Sequence, residues 1–300
     1  MDPRAGRQPS LDEHLSFSPA LDESLDHAGA WLIFRRLEPA ASEDLTSVTR
    51  KMEGQTVIKL YQFPTAFGLP NISPFCMKLE CFLRMAKLDY QIVDFTNLRQ
   101  APKGKGPYIE EGEVRMGDSS LIIDYLQAKH GIDLDARLTT QQRAISVAFQ
   151  ALIEEHLYWV VVYNRWVDER NWPTLRELFF GRLPPLLRQT LPLIARRMVR
   201  RQLHAQGMGR HTAEEIYRFG LRDIGAIAEY LADKPFMHGE SPTLIDACTF
   251  ATVANILEPP FEGPVRQEAK RHANLLRYSE RMRDATFGRS GDGKAVPEQM

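Results

Sequence analysis

Val57-Ile58-Lys59-Leu60-Tyr61-Gln62-Phe63, followed after a short loop by Asn71-Ile72-Ser73-Pro74-Phe75-Cys76, is the passage on which the fold turns. Its first half is rich in β-branched and aromatic residues and reads as a strand from Thr56. Its second half opens a helix, with Pro74 just inside the first turn, where its missing N–H costs nothing. That helix runs to about Ala86, with Phe75, Met77, Leu79 and Phe82 apolar. Tyr90 to Phe95 is a second strand, parallel to the first if the helix is a right-handed crossover. A Lys- and Gly-rich loop then ends at Pro107. A hairpin of Tyr108-Ile109 and Val114-Arg115-Met116 turns around Glu111-Gly112, and a helix spans Ser119 to His130. The order over 56–131 is β-α-β-β-β-α.

After Gly131 the strand pattern stops. Helical periodicity recurs at about 137–170, 173–206, 212–232, 243–257 and 266–286, so 132–287 is expected to be an all-helical domain. Two domains suit 300 residues. Residues 1–55 are expected to be a mostly disordered extension, because 1–50 hold nine acids and five arginines without a sustained period. Trp31-Leu32-Ile33-Phe34 is its exception, a short helix able to dock on the body. The Gly-rich stretch 288–300 reads as a loose tail.

With 43% hydrophobic and 26% charged residues the chain is neither collagen-like, mucin-like nor disordered throughout. A net charge of -1 gives no overall field toward nucleic acid or an anionic membrane, so no nucleic-acid partner is expected. The three cysteines are too few for a disulfide scaffold and point to a reducing, cytoplasmic setting. No apolar run reads as long enough to span a bilayer, and the polar start Met1-Asp2-Pro3-Arg4 does not read as a signal core.

The β-α-β-β-β-α order is that of a thioredoxin-like domain, which places a four-residue window where the first helix opens: here Ser73-Pro74-Phe75-Cys76. Free amide hydrogens and the helix dipole favour an anion there, and a thiolate is the natural one. Ser73 cannot attack a disulfide, but its hydroxyl can donate a hydrogen bond to the sulfur of a bound thiol such as glutathione. Lowering a thiol pKa from about 8.5 to about 6.5 takes roughly 2.7 kcal/mol. A hydrogen bond to a charged group contributes about 1.5–3 kcal/mol and the dipole about 0.3–1, so the two suffice. The plainer reading of Ser73 is a helix N-cap.

Cys76, in the first helical turn, reads as the rival nucleophile or as a structural core thiol. Cys81 is no disulfide partner for it, being about 7.5 Å along the axis and about 140° round. Cys81 and Cys248 read as core thiols. Asp118-Ser119 at a helix start reads either as a cap or as a site for an amino acid's ends, with Ser119 taking the carboxylate and Asp118 the ammonium.

Together, Ser73-Pro74-Phe75-Cys76, Gly106-Pro107-Tyr108-Ile109 and Asp118-Ser119-Ser120-Leu121-Ile122-Ile123-Asp124-Tyr125-Leu126 resemble, in order and spacing, the amino-terminal domain of glutathione transferases. The resemblance implies a cis proline at Pro107, γ-glutamyl contacts from Asp118 and Ser119, and thiol activation by Ser73. It implies glutathione as co-substrate, an apolar electrophile, no metal, and the family's habit of dimerising. Gly106 replaces the usual aliphatic residue and is expected to loosen that backbone; Gly106 and Tyr108 flank Pro107 in the substrate-binding segment. Gly239 to Asp246 resembles the Pro-Thr-x-x-Asp motif of the transferase helical domain, with Thr243 and Asp246 a capping pair that folds the core.

More narrowly, 73–80 and 206–216 resemble the failed-axon-connections branch, relatives of the metaxins. That branch implies an alternative: a non-catalytic interaction module. Seven arginines and no acid between Leu178 and Ala213 (Arg182, Arg188, Arg196, Arg197, Arg200, Arg201, Arg210) suit either a solvated face or contact with an anionic protein or membrane surface. Tyr158, Trp159, Tyr163 and Trp166 read as core or as the lining of a co-substrate pocket between the domains, Tyr158 and Trp166 among them.

Overall fold

The computed structural model describes residues 57–95 and 100–288. The amino-terminal extension, its Trp31–Phe34 segment and most of the tail lie outside the described residues.

β1 (Ile58–Gln62), α1 (Pro74–Met85), β2 (Tyr90–Asp94), β3 (Tyr108–Glu111), β4 (Val114–Gly117) and α2 (Ser119–His130) form the first unit. The sheet order is β2-β1-β3-β4. β1 runs parallel to β2, as a helical crossover demands, and antiparallel to β3; β3 and β4 are a hairpin. Alternation along β1 sends Ile58 and Leu60 to one face, where they pack with Leu79 and Phe82 of α1 and Ile122 and Leu126 of α2. Tyr61 points to the other face and stacks on Tyr108 at 4.2 Å.

The rest is helical: α3 (Thr140–Ala151), a π-helical turn (Leu152–Leu157), α4 (Tyr158–Trp166), α5 (Trp172–Phe180), α6 (Pro185–Gln206), α7 (Ala213–Leu231), α8 (Leu244–Leu257), α9 (Pro264–Arg271) and α10 (Ala273–Thr286). α8 is buried from Ile245 to Leu257 and packs on α1, which makes it the axle between the two units. The periodicity missed three breaks. The 173–206 segment divides at Gly181–Pro184, because Pro184 is extended and Pro185 can only start a helix. The 266–286 segment divides at His272, whose backbone is extended. Within 140–166 one continuous rod contains the π turn, an extra residue that re-aims the side chains after it. By length and composition that 27-residue rod would suit a bilayer, which the sequence reading overlooked. Here it carries Glu154 against the buried Lys78 at 2.5 Å and buries Ile153, Leu157, Val160 and Val161 in the protein.

Candidate active site

The site begins where β1 ends. Ser73 has an extended backbone and caps α1: its Oγ accepts a hydrogen bond from the Cys76 amide at 3.4 Å, and its hydroxyl also lies against the Cys76 thiol. Asn71, fully buried, fixes this turn. Its Oδ1 accepts from the Ser73 amide at 3.0 Å and its Nδ2 donates to the Phe63 carbonyl.

Pairing of Tyr108 with both Tyr61 and Gly117 brings three chain segments to one end of the sheet. These are the turn after β1 with Ser73, the start of β3 with Pro107, and the end of β4 with Asp118 and Ser119. The Gly106–Pro107 bond is cis, as the resemblance implied. Asp118 has φ 88, unusual for a residue other than glycine, and is held there by accepting from the amides of Ser120 at 3.1 Å and Leu121 at 3.3 Å. Both bonds use Oδ1, so Oδ2 remains for a ligand. Ser119 is 4% exposed.

One reading changes and another narrows. Gly106 is not slack: a Cβ there would sit 3.2 Å from the Phe95 ring and 3.7 Å from Cys76 Sγ, so Phe95 fills the space an aliphatic side chain would take. For Cys76 the structure favours the core-thiol reading over the nucleophile. The residue is fully buried, and burial pushes its thiol up to about 12; the Ser73 hydroxyl and the Phe63 backbone only partly oppose this. The helix dipole cannot compensate for removal from water, so Cys76, Cys81 and Cys248 are all buried thiols. Tyr108 turns its ring into the sheet's second face, edge-on to Phe95 at 5.5 Å, so it packs the site from beneath.

Ser73 and Pro74 form one wall of a cavity of about 280 Å³ between the sheet unit and the helices. Tyr158 and Trp166 both reach it, with Phe63, Phe179 and Val199 among its apolar walls. Tyr158 meets Phe75 edge-on at 4.8 Å, and Trp166 stacks on Phe179 at 5.9 Å. Tyr163 faces Tyr217 instead, away from the cavity.

Three polar residues that the sequence reading missed brace this wall. Arg165, also on the cavity, donates from Nη1 to the Ile72 carbonyl at 2.9 Å and from Nη2 to the Asn255 carbonyl and side chain at 2.7 and 3.0 Å. Asn255 donates to the Asn71 carbonyl at 3.2 Å. Asn71, Arg165 and Asn255 thus tie the Ser73 turn to α4 and α8. In the sequence, Arg165 lies between Asn164 and Trp166 just after the apolar and aromatic stretch 158–163; a polar residue at a core phase of a helix was the available signal. Nearby, Lys78 donates to Ser120 Oγ at 2.9 Å and Gln150 to Ser120 and Glu154 at 3.0 and 2.9 Å, a second polar seam between the units. Among the described residues no cluster of side chains suits a metal.

Residues 74–171 match the glutathione S-transferase N-terminal domain family and 220–282 the glutathione S-transferase C-terminal domain family. The isoprene-epoxide glutathione S-transferase of Rhodococcus sp. (strain AD45) is 36% identical over 234 residues, covering 76% of this chain and 98% of that protein. This chain belongs to the glutathione S-transferase superfamily. Failed axon connections of Drosophila melanogaster is 34% identical over 243 residues, 77% of this chain and 58% of that protein. Mouse metaxin-1 is 24% identical across 81% of this chain and 79% of that protein, so the chain lies on the metaxin-like branch of the superfamily. Among solved structures, the β-etherase LigF of Sphingobium sp. strain SYK-6 superposes with TM-score 0.53 at 17% identity, covering 76% of this chain and 95% of that one. The transferase GSTFuA3 of Phanerochaete chrysosporium gives 0.52 at 16%, covering 78% and 99%. Both attest the transferase fold.

Proposed function

We propose that this protein binds glutathione at the sheet end formed by Ser73, Pro107, Asp118 and Ser119, and transfers its sulfur to an electrophile held in the adjoining cavity. The observation that carries the reading is the position of Ser73: a partly exposed helix-capping hydroxyl standing on the wall of an apolar cavity between two domains of the transferase family. The near full-length likeness to an isoprene-epoxide glutathione S-transferase supports a small, apolar electrophile.

In this scheme Asp118 Oδ2 takes the α-ammonium and Ser119 the α-carboxylate of the γ-glutamyl group. Ser73 donates to the sulfur, and the dipole of α1 adds to the stabilisation of the thiolate. Tyr158 and Trp166 supply the apolar contact for the second substrate. Calorimetric titration with glutathione and conjugation to a model aryl halide test this directly. Binding with turnover lost in Ser73→Ala is expected; equal turnover in that variant would remove Ser73 from the reaction.

A second reading, a metaxin-like interaction module, draws on α6. Leu186, Leu193 and Ile194 are 73%, 67% and 41% exposed, and Arg197 shares a hollow of about 400 Å³ with the latter two. The full arginine run does not act together, since Arg196 and Arg200 pair with Glu169 and Arg188 with Glu177. Salt-sensitive capture of anionic vesicles by a protein that fails to bind millimolar glutathione would favour this reading.

A further inference from the structure

Arg165 is 7% exposed, yet its guanidinium meets no carboxylate among the described residues. A buried charge ordinarily has an opposite partner or a strongly shifted protonation. The bonds of Arg165 go only to carbonyl oxygens, those of Ile72 and Asn255 and of the Asn255 side chain, with the Phe261 ring 5.1 Å away. These occupy Nη1 and Nη2, and among the described residues nothing accepts from Nε–H. The neighbouring Tyr158 lines the same cavity, and among the described residues its hydroxyl has no hydrogen-bond partner. Burial has pulled the guanidinium down to about 10, which still leaves it charged at neutral pH, and has raised the Tyr158 phenol, which stays protonated. Beyond these two, Ser73 and Gln202, the cavity is apolar.

We propose that Arg165, assisted by the Tyr158 hydroxyl, is an oxyanion site that selects small apolar epoxides by holding the oxygen released as the ring opens. The proposal rests on the transferase reading above and deepens it. The glutathione sulfur, ionised at Ser73, bonds to an epoxide carbon as that carbon's C–O bond breaks. The electron pair stays on oxygen, which faces Arg165 and Tyr158. The alkoxide then takes a proton from water, matching the one the thiol gave up. The donors are fixed before reaction and lie in an apolar surround, the condition under which such a site lowers a barrier most.

The test compares conjugation of an apolar epoxide with that of an alkyl iodide of the same carbon skeleton, whose weakly basic leaving group needs little help. Wild type, Arg165→Gln and Tyr158→Phe are assayed after folding is checked by circular dichroism. Arg165→Gln is expected to lose about 100-fold in kcat/KM for the epoxide and less than about threefold for the iodide. Tyr158→Phe, which keeps the ring on Phe75, is expected to lose about tenfold for the epoxide alone. Parallel losses on both substrates would overturn the assignment.

Because Arg165 also braces Ile72 and Asn255, its variant can fail to fold. Tyr158→Phe then decides, together with quenching of wild-type Trp fluorescence by hexanoate against hexanamide. A tenfold preference for the carboxylate supports a cation facing the cavity, and equal affinity overturns it. If wild type conjugates neither electrophile, the transferase reading falls, whereas the carboxylate preference still judges the Arg165 site.

Discussion

α1 and α8 lie against each other and each begins with a hydroxyl residue as its cap, but the two starts have opposite fates. At α8, Thr243 donates to Asp246 Oδ2 through both N–H and hydroxyl at 2.8 Å, and Asp246 Oδ1 accepts from the Met237 amide at 2.8 Å and Tyr278 at 3.1 Å. Nothing polar is left over, and the motif is wholly buried. At α1, Ser73 accepts one long bond, remains partly exposed and faces a cavity. Similar capping chemistry therefore closes on itself where donors and acceptors are matched and buried, and stands open to a cavity where the hydroxyl is partly exposed.

The comparison is broken most strongly from the α8 side. Asp246→Ala leaves the Met237 and Thr243 amides and the Thr243 hydroxyl buried without an acceptor, while Tyr278 keeps the Asp246 carbonyl, and it is expected to cost on the order of 3 kcal/mol in urea denaturation. Asn71→Ala should cost about 2 kcal/mol and weaken glutathione binding as well, since it frees both Phe63 and the Ser73 turn. Ser73→Ala should cost no more than about 1 kcal/mol of stability, the low end for a cap. A loss at Ser73 equal to that at Asp246 would erase the distinction.

The smallest effect on activity is expected at Cys76: Cys76→Ala should change conjugation by less than about twofold, because a neutral buried thiol is inert. In the native protein it should resist iodoacetamide at pH 8, and rapid labelling would contradict its burial. The pH sign follows from the thiol at about 12 in the fold against about 8.5 in the unfolded chain. Below pH 8.5 both states keep the proton; between 8.5 and 12 the unfolded chain loses it first, so stability falls across that window. Cys76→Ala should flatten that fall.

The sheet unit was legible because its signals are local: alternation in β1, Pro74 at a helix start, Gly112 in the hairpin turn and Gly131 closing α2. The breaks at Gly181–Pro184 and His272 were harder, since apolar residues continue on both sides and periodicity alone bridges a short interruption. At the site, Ser73, Pro107 and Asp118 were readable as terminal residues of elements. Arg165, Asn71 and Asn255 were not, because their roles come from one another across 93 and 184 positions of chain. The choice between nucleophile and core thiol at Cys76 stayed open for a related reason: helix position is written in sequence, whereas burial depends on contacts distant along the chain, the Phe63 backbone among them.

Thiol activation by Ser73 is read most directly by titrating the thiolate absorbance of glutathione bound to wild type and to Ser73→Ala. The wild-type complex should ionise near pH 6.5, about two units below a free thiol, and the variant should return toward about 8.5. Identical ionisation in the two complexes, or an unshifted thiol in wild type, would contradict it.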